Sequence, residues 1–281
     1  MTLLVVGSLH WDVVVRAPHL PSLDETVAGS AVDYVFGGKG GNQAVSAARM
    51  GASVVFAGRA GGDTLGDKLR ASLLSGGVDT SQLQRDSGPS GMSVAILDAK
   101  GDYGAVIVSA ANLLIDADKI EIPTQTSLVL LQNEVPEDVN IRVAHKARAA
   151  GARVWLNAAP ARPLPIELLQ LTDLLVVNRV EAAFYRHLQD GPKILTTLGP
   201  EGVCYAGNTY PGFSVEVTSS HGAGDMFMGA LAAAVDGGKT IEGAIDFAQA
   251  AAACHVASRL EQRAALSRDV VSDFLLDQGR P

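Results

Sequence analysis

Two glycine motifs in this sequence set reactive side chains beside backbone that a ligand can approach. The first is His221-Gly222-Ala223-Gly224-Asp225, which runs directly into the small, apolar stretch Met226–Val235. Small residues at the first turn of a helix leave backbone N–H groups free, and the positive end of the helix dipole adds to them, so an anion can bind there. A carboxylate at the same place, Asp225, can take a proton from an alcohol; it can also simply cap the helix. An anion hole and a carboxylate base together are what phosphoryl transfer to a hydroxyl requires: charge stabilisation and an oriented nucleophile. The second motif is Gly37-Gly38-Lys39-Gly40-Gly41-Asn42-Gln43, followed by Ala44 to Met50 and then Gly51. It reads as a glycine loop opening a helix that Gly51 stops. The pattern GxxxxGK[ST] is absent, so it is not a Walker A loop. Lys39 offers a point charge, Asn42 a paired donor and acceptor, and the glycines close approach to backbone. A tight hinge for a lid is the other reading of this loop.

Positioning such groups takes a frame of strands and helices. Leu3–Val6, Ser53–Ala57, Ser127–Leu131, Arg153–Leu156, Asp173–Val177 and Lys193–Leu198 read as short buried strands. Leu65, Leu69 and Leu73 recur at helical spacing before Gly76, as do Val139, Val143 and Ala147 before Gly151, with glycine ending each helix. Beyond residue 221 the chain reads almost wholly helical. This alternation predicts a mostly parallel sheet covered by helices on both faces. The strands end in polar residues: Ser8, His10 and Asp12; Gln132, Asn133 and Glu134; Asn157; Asn178 and Glu181; then Gly199. In an open parallel sheet these ends share one edge, where ligands bind. Any one polar loop is explained by exposure alone, but five in agreement predict a cleft.

Two segments depart from that plan. Val13–Phe36 contains Pro18, Pro21 and short alternating pieces, and Ser90–Ala110 reads as a hairpin with Gly101 in its turn. Both are placed in a small β-rich lid (residues 12–36 and 90–110). No linker separates them from the rest, so residues 1–281 are taken as one domain. Composition agrees with such an enzyme. Glycine is 30 of 281 residues, against a typical share of about 7%. The formal charge of -8 argues against a nucleic-acid partner, but a local phosphate site remains compatible with it. Two cysteines, Cys204 and Cys254, form no CxxC and suit a reducing, cytoplasmic setting. Met1–Gly7 lacks a basic leader and reads as the first strand, not a signal peptide. No apolar run approaches the ~20 residues needed to span a bilayer, so no membrane partner is expected.

With these motifs together, the chain resembles the ribokinase-like (PfkB) family of carbohydrate kinases. The resemblance rests on Gly7-Ser8-Leu9-His10-Trp11-Asp12, Phe36 to Ala44, Asn157-Ala158-Ala159-Pro160-Ala161, Asn178-Arg179-Val180-Glu181, Thr197-Leu198-Gly199 with Gly202, and Gly222 to Asp225, in the family's order over nearly the whole chain. It implies a three-layer α/β/α sandwich with a small β lid. It implies that Asp225 is the catalytic base, with Gly222, Ala223 and Gly224 as the anion hole. Asp12, His10, Gly38, Lys39, Asn42 and Glu134 resemble the sugar-binding set. Asn178 and Glu181 resemble the pair that organises magnesium and the phosphates, with Glu181 reaching Mg²⁺ through water. Thr197, Gly199, Gly202 and Gln249 resemble the nucleotide site. The implied substrates are ATP with Mg²⁺ and a small sugar such as ribose, phosphorylated at a primary hydroxyl.

The departures are informative. Family members of the ribokinase type usually carry Asn where this chain has His10 and a small residue where it has Trp11. Trp11 either stacks on a ring, as a nucleoside kinase would use it, or belongs to the lid core. Where the family usually has Asp-Thr before the anion hole, this chain has Ser219-Ser220, and that Asp helps bind a monovalent cation. The family's later glycine-containing loop is replaced by Arg259-Leu260-Glu261-Gln262-Arg263. Both changes leave a monovalent cation doubtful, and the second touches the adenine pocket. They also motivate a catalytically weak ligand-binding homologue as an alternative, against which Lys39, Asn178, Glu181 and Asp225 stand. Bond cleavage on a nucleoside-like sugar phosphate fits poorly with a complete anion hole ahead of Asp225. An exposed lid edge predicts a homodimer.

Overall fold

Strand β1 (Thr2–Val6) lies inside a nine-stranded sheet, and its alternating side chains show why the sheet is covered twice. Leu3 and Val5 enter one apolar core and Leu4 and Val6 the other. The computed structural model describes residues 1–100, 103–188 and 191–280; the predicted turn at Gly101 lies outside them. After β1 come β2 (His10–Arg16), β3 (Ala31–Gly37), α1 (Lys39–Arg49), β4 (Ser53–Gly61), α2 (Thr64–Ser75), β5 (Asp79–Asp86), β6 (Met92–Leu97) and β7 (Tyr103–Val108). Then follow β8 (Thr126–Gln132), α3 (Glu137–Ala149), β9 (Arg153–Asn157), α4 (Ile166–Leu171), β10 (Leu174–Asn178), α5 (Arg179–Tyr185), β11 (Lys193–Thr197), β12 (Val203–Tyr205) and β13 (Asn208–Tyr210). The chain closes with α6 (Ala223–Asp236), α7 (Ile241–Ala257) and α8 (Arg268–Asp277).

The large sheet runs in the order β13-β12-β11-β10-β9-β8-β1-β4-β5. It is parallel from β5 to β11, and β12 and β13 turn back antiparallel at one edge. Helices α1, α2, α6, α7 and α8 bury their apolar faces on one side, and α3, α4 and α5 on the other. This is the three-layer arrangement expected. Helices α1 and α6 approach so closely that a Cβ on Gly229 would stand 2.6 Å from the Ser46 Cβ and 2.7 Å from the Gln43 carbonyl. That approach brings the glycine loop and the Asp225 turn to one place.

A second sheet, β3-β2-β6-β7, stands beside the first. Its register gives it two unlike faces. His10, Asp12 and Ser93 lie on one, while Val13, Tyr34, Val94 and Val106 form a cross-strand row on the other. Trp11 falls on the apolar face, half-buried against the core, with the Lys68 ammonium 5.4 Å from its ring centre.

Two edge elements were not foreseen. Strand β5 reads Asp-Thr-Ser-Gln-Leu-Gln-Arg-Asp and has no apolar alternation. It is held by pairing with β4 and by two side-chain amides that imitate a ladder. Gln82 and Gln84 each donate to and accept from the backbone of Glu121 and Asp116, at 2.8 to 3.0 Å. The β12–β13 hairpin turns on Ala206 and Gly207, both with positive φ, the geometry that fits the twist of a two-residue hairpin.

Candidate active site

Asp225 is the third residue of α6, and the helix begins at Gly222 in the left-handed region with φ 79° and no side-chain cap. Capping therefore does not account for Asp225. Its carboxylate is buried and held from both sides: Oδ1 accepts from Gln43 Nε2 at 3.0 Å and Oδ2 from Asn42 Nδ2 at 3.3 Å. Burial pushes its pKa above the ordinary carboxylate value, and the Lys39 charge and the two amide donors offset only part of that. The Ala223 N–H donates to the Ser220 carbonyl at 3.2 Å. The N–H groups of Gly222, Gly224 and Asp225 have no hydrogen-bond partner among the described residues, so the free donors at this turn are theirs.

Gln43 was read only as part of the glycine motif. It is fully buried and its Nε2 serves Asp225 and the Asn157 Oδ1, the latter at 3.1 Å, while its Oε1 accepts from Gln132 Nε2 at 3.0 Å. A chain of amides thus runs from β8 through α1 to the carboxylate. The signal in the sequence was faint: a glutamine followed by the small buried residues of α1.

The loop ahead of α1 is fixed by a second carboxylate. Glu134, two residues beyond the end of β8, accepts from Ser8 Oγ at 2.5 Å and from the Lys39 backbone N–H at 2.9 Å. Gly38 caps α1 with φ 87°, and any Cβ there would lie 2.7 to 2.8 Å from the backbone of Ser8, Leu9 and His10. The conformation and the space both demand glycine. Burial works against the Lys39 ammonium, yet Asp225, Glu134 and Glu181 together raise its pKa. Four residues drawn from four separate loops are therefore close enough to share one field.

On the lid side, Asp12 is buried and accepts from Ser93 Oγ at 2.5 Å. His10 is buried, and its Nε2 has no hydrogen-bond partner among the described residues. Both belong to the polar face of the lid sheet, next to Gly37 and Gly38. Asn178 and Glu181 form a reciprocal capping box at the start of α5, each side chain accepting the other's backbone N–H at 2.8 Å. Burial raises the Glu181 pKa even though the Asn178 N–H and Lys39 favour its charge.

Behind the α6 turn lies an apolar cavity of about 300 Å³. Val203, Val215, Phe227, Ala252 and Val256 form its walls, and Thr197, Gly199, Gly202 and Gln249 reach its rim along with Gly224. The Gln249 Nε2 donates to the Pro211 carbonyl at 3.4 Å, and its buried Oε1 has no partner among the described residues. An apolar cavity with one amide and the free helix turn in its lining suits a nucleobase whose phosphates reach α6.

Comparison with known proteins agrees with this geometry. The family model described as pfkB family carbohydrate kinase matches residues 2–267. The chain is 34% identical to the ribokinase of Bacillus subtilis (strain 168), covering 96% of this chain and 98% of that protein. The solved ribokinase of Arabidopsis thaliana complexed with ribose and ATP superposes with a TM-score of 0.87 at 30% identity, covering 97% and 98% of the two chains. Ribokinase from Thermotoga maritima gives a TM-score of 0.87 at 28% identity, covering 98% and 99%.

Proposed function

The chain belongs to the pfkB family of carbohydrate kinases and is an ATP-dependent sugar kinase, and we propose that it phosphorylates a primary hydroxyl of ribose or a similarly small sugar. The observation that carries the assignment of roles is the placement of Asp225. It is a buried carboxylate at a helix turn with free N–H groups, between a polar lid face and an apolar base-sized slot. Asp12, His10, Gly38, Lys39, Asn42 and Glu134 surround the sugar. Hydroxyl groups need acceptors such as Asp12 and donors such as Asn42 and Lys39, and these stand on fixed loops.

In the reaction the sugar hydroxyl gives its proton to Asp225 as its oxygen bonds to the γ-phosphorus. The bond from that phosphorus to the β,γ-bridging oxygen breaks, and ADP leaves. The raised pKa of Asp225 makes it a better proton acceptor than an exposed carboxylate. The N–H groups at Gly222 and Gly224, with Lys39, meet the charge on the transferring group. The lid sheet keeps water from competing for the phosphoryl group.

Among the described residues no group of three or more His, Cys, Asp or Glu is arranged to hold a metal ion. That fits Mg²⁺, which keeps waters and binds through one or two carboxylates together with substrate phosphates. Glu181 is the carboxylate placed for a water-mediated contact, with Asn178 fixing its orientation. Bound there, Mg²⁺ supplies neutralisation of the phosphate charge.

Trp11 lies on the apolar face of the lid, under Lys68. This supports a sugar over a nucleoside, since the ring is engaged in packing. A panel of ribose, other sugars and nucleosides with ATP and magnesium tests the reading; turnover of nucleosides alone would overturn it. We also propose a homodimer through the lid, because Tyr34, Val106 and Val108 are exposed on its apolar face. A cytoplasmic location accords with two free thiols and with the absence, among the described residues, of a helix long and apolar enough to cross a membrane. Val106→Arg is expected to convert the dimer to a monomer in sedimentation; a monomeric unmodified chain would contradict the proposal.

A further inference from the structure

Arg263 is a buried cation with no counter-charge among the described residues. It sits in the short 3-10 turn Leu260–Ala265 and is only 8% exposed. No carboxylate pairs with it among the described residues, and burial lowers its pKa with no acid opposing the shift. Its partners are instead two backbone carbonyls. Nη1 donates to the His221 carbonyl at 3.1 Å, Nη2 donates to the Ser219 carbonyl at 2.8 Å, and Nε has no partner among the described residues. The turn that carries Arg263 is anchored in its own right, since Arg49 Nη1 donates to the Arg263 carbonyl at 3.0 Å.

The two carbonyls belong to the residues just before the free N–H groups of α6. The His221 carbonyl has a second donor, His255 Nε2 at 2.9 Å. Burial holds that imidazole's pKa down to about 4, so at neutral pH it is uncharged and carries its proton on Nε2. A carbonyl with two donors, beside another gripped by the same guanidinium, fixes the course of the chain into Gly222. The planar fork of arginine suits such a double contact, and lysine lacks it. An unpaired buried charge is costly to keep, and a polyphosphate arriving at the α6 turn provides the missing negative charge.

We propose that Arg263 is a built-in positioning cation: by holding the Ser219 and His221 carbonyls it sets the turn that presents Gly222 to Asp225, in place of a dissociable monovalent ion. The inference rests on the sugar-kinase reading of the cleft and adds what orders its anion-binding turn. Ser219 supplies no carboxylate to the neighbourhood, and its carbonyl is already occupied.

The test compares the unmodified chain with Arg263→Met and Arg263→Lys, with and without potassium or guanidinium. The unmodified enzyme is expected to change its kcat by less than about twofold on adding potassium. Loss of two charge-assisted bonds should lower kcat of Arg263→Met by about 10- to 100-fold, with the sugar KM little changed, because the sugar-binding side chains are untouched. Potassium or guanidinium should restore part of that rate, and Arg263→Lys should fall between the two. The same ions should raise the melting temperature of Arg263→Met and leave that of the unmodified chain unchanged. This melting readout needs no sugar, so it separates failure of the inference from failure of the sugar-kinase reading. The inference is overturned by a tenfold or greater activation of the unmodified enzyme by potassium. It is equally overturned by an Arg263→Met enzyme within twofold of the original, or by a loss that neither ion repairs. Should Arg263→Met not fold, the potassium response of the unmodified chain and the rate of Arg263→Lys decide the matter.

Discussion

Replacing Asp225 with Asn separates the base from the scaffold around it. The side chain keeps its shape and one carbonyl oxygen, so either the Gln43 or the Asn42 amide keeps an acceptor. The other amide then faces an N–H group, a loss of about 1 kcal/mol or somewhat more. Against this stands the removal of a buried charge. The folded-state pKa of Asp225 is raised, so the native state holds the proton more tightly than the unfolded chain does. Its contribution to stability is therefore complete below the unfolded carboxylate value of about 3.9 and is lost as pH rises through the raised folded value. At neutral pH the charged form costs stability, and the substitution removes that cost. The two effects oppose, so the melting temperature at neutral pH should hold or rise, and its decline with rising pH through the carboxylate range should weaken. Activity should behave otherwise. A positioned general base contributes about 10²- to 10⁴-fold, which is about 3 to 5.5 kcal/mol of barrier. A coupled assay should show kcat reduced by that factor, with the sugar KM within about threefold, since uniform binding is untouched. In the unmodified enzyme kcat should fall on acidification with an apparent pKa above the usual carboxylate range, and that limb should vanish in the variant. A variant within tenfold of the original, or one retaining the same acid limb, would refute Asp225 as the base.

Gln43→Leu should lower kcat by about 10- to 100-fold and depress the melting temperature, because Asp225 and Asn157 lose a shared donor in a fully buried place; calorimetry and steady-state kinetics check both. Gly38→Ala should destabilise the chain by about 1–3 kcal/mol, given φ 87° and backbone within 2.8 Å of any Cβ, and should raise the sugar KM; denaturant unfolding that is unchanged would contradict this. Ala252→Trp should fill the apolar slot and raise the ATP KM while sparing that of the sugar; the reverse pattern would relocate the nucleotide.

The frame was legible because its strands are continuous apolar runs and its helices carry leucines or valines at fixed spacing. Leu3–Val6 and the Val139, Val143, Ala147 stripe are buried as their patterns imply. Strand β5 was not legible, since its stability comes from Gln82 and Gln84 pairing with a distant backbone segment, and no local pattern reports that. The same division holds in the cleft. Asp225 and the glycines announce themselves by motif. Gln43 and Gln132 gain their function from tertiary contact, and a buried amide leaves no periodic trace. Arg263 is the extreme case: its turn replaces a familiar glycine loop, and in sequence it reads only as one charge among several.

The cleft also explains how a chain of formal charge -8 can accept a polyphosphate. Its carboxylates are not spread evenly. Asp225, Glu134 and Glu181 act together on Lys39 and raise its pKa, and Asp12 stands on the polar face of the lid sheet; on the proposed reading Asp12, Glu134 and Lys39 make up the sugar side and Glu181 the phosphate side. Behind the α6 turn stand Arg263 and Arg49, both buried enough to lower their pKa values and neither opposed by an acid among the described residues. On the proposed reading, a phosphate chain entering from the apolar slot meets free N–H groups backed by guanidinium charge, with Glu181 reaching it through hydrated Mg²⁺ and Asp225 standing at the end where a proton must be taken. Coulomb interaction in so shielded a place is stronger than across a solvated surface. The field that receives ATP is therefore set by a few buried charges, and the acidic exterior, screened within about 8–10 Å at physiological salt, has little influence on it.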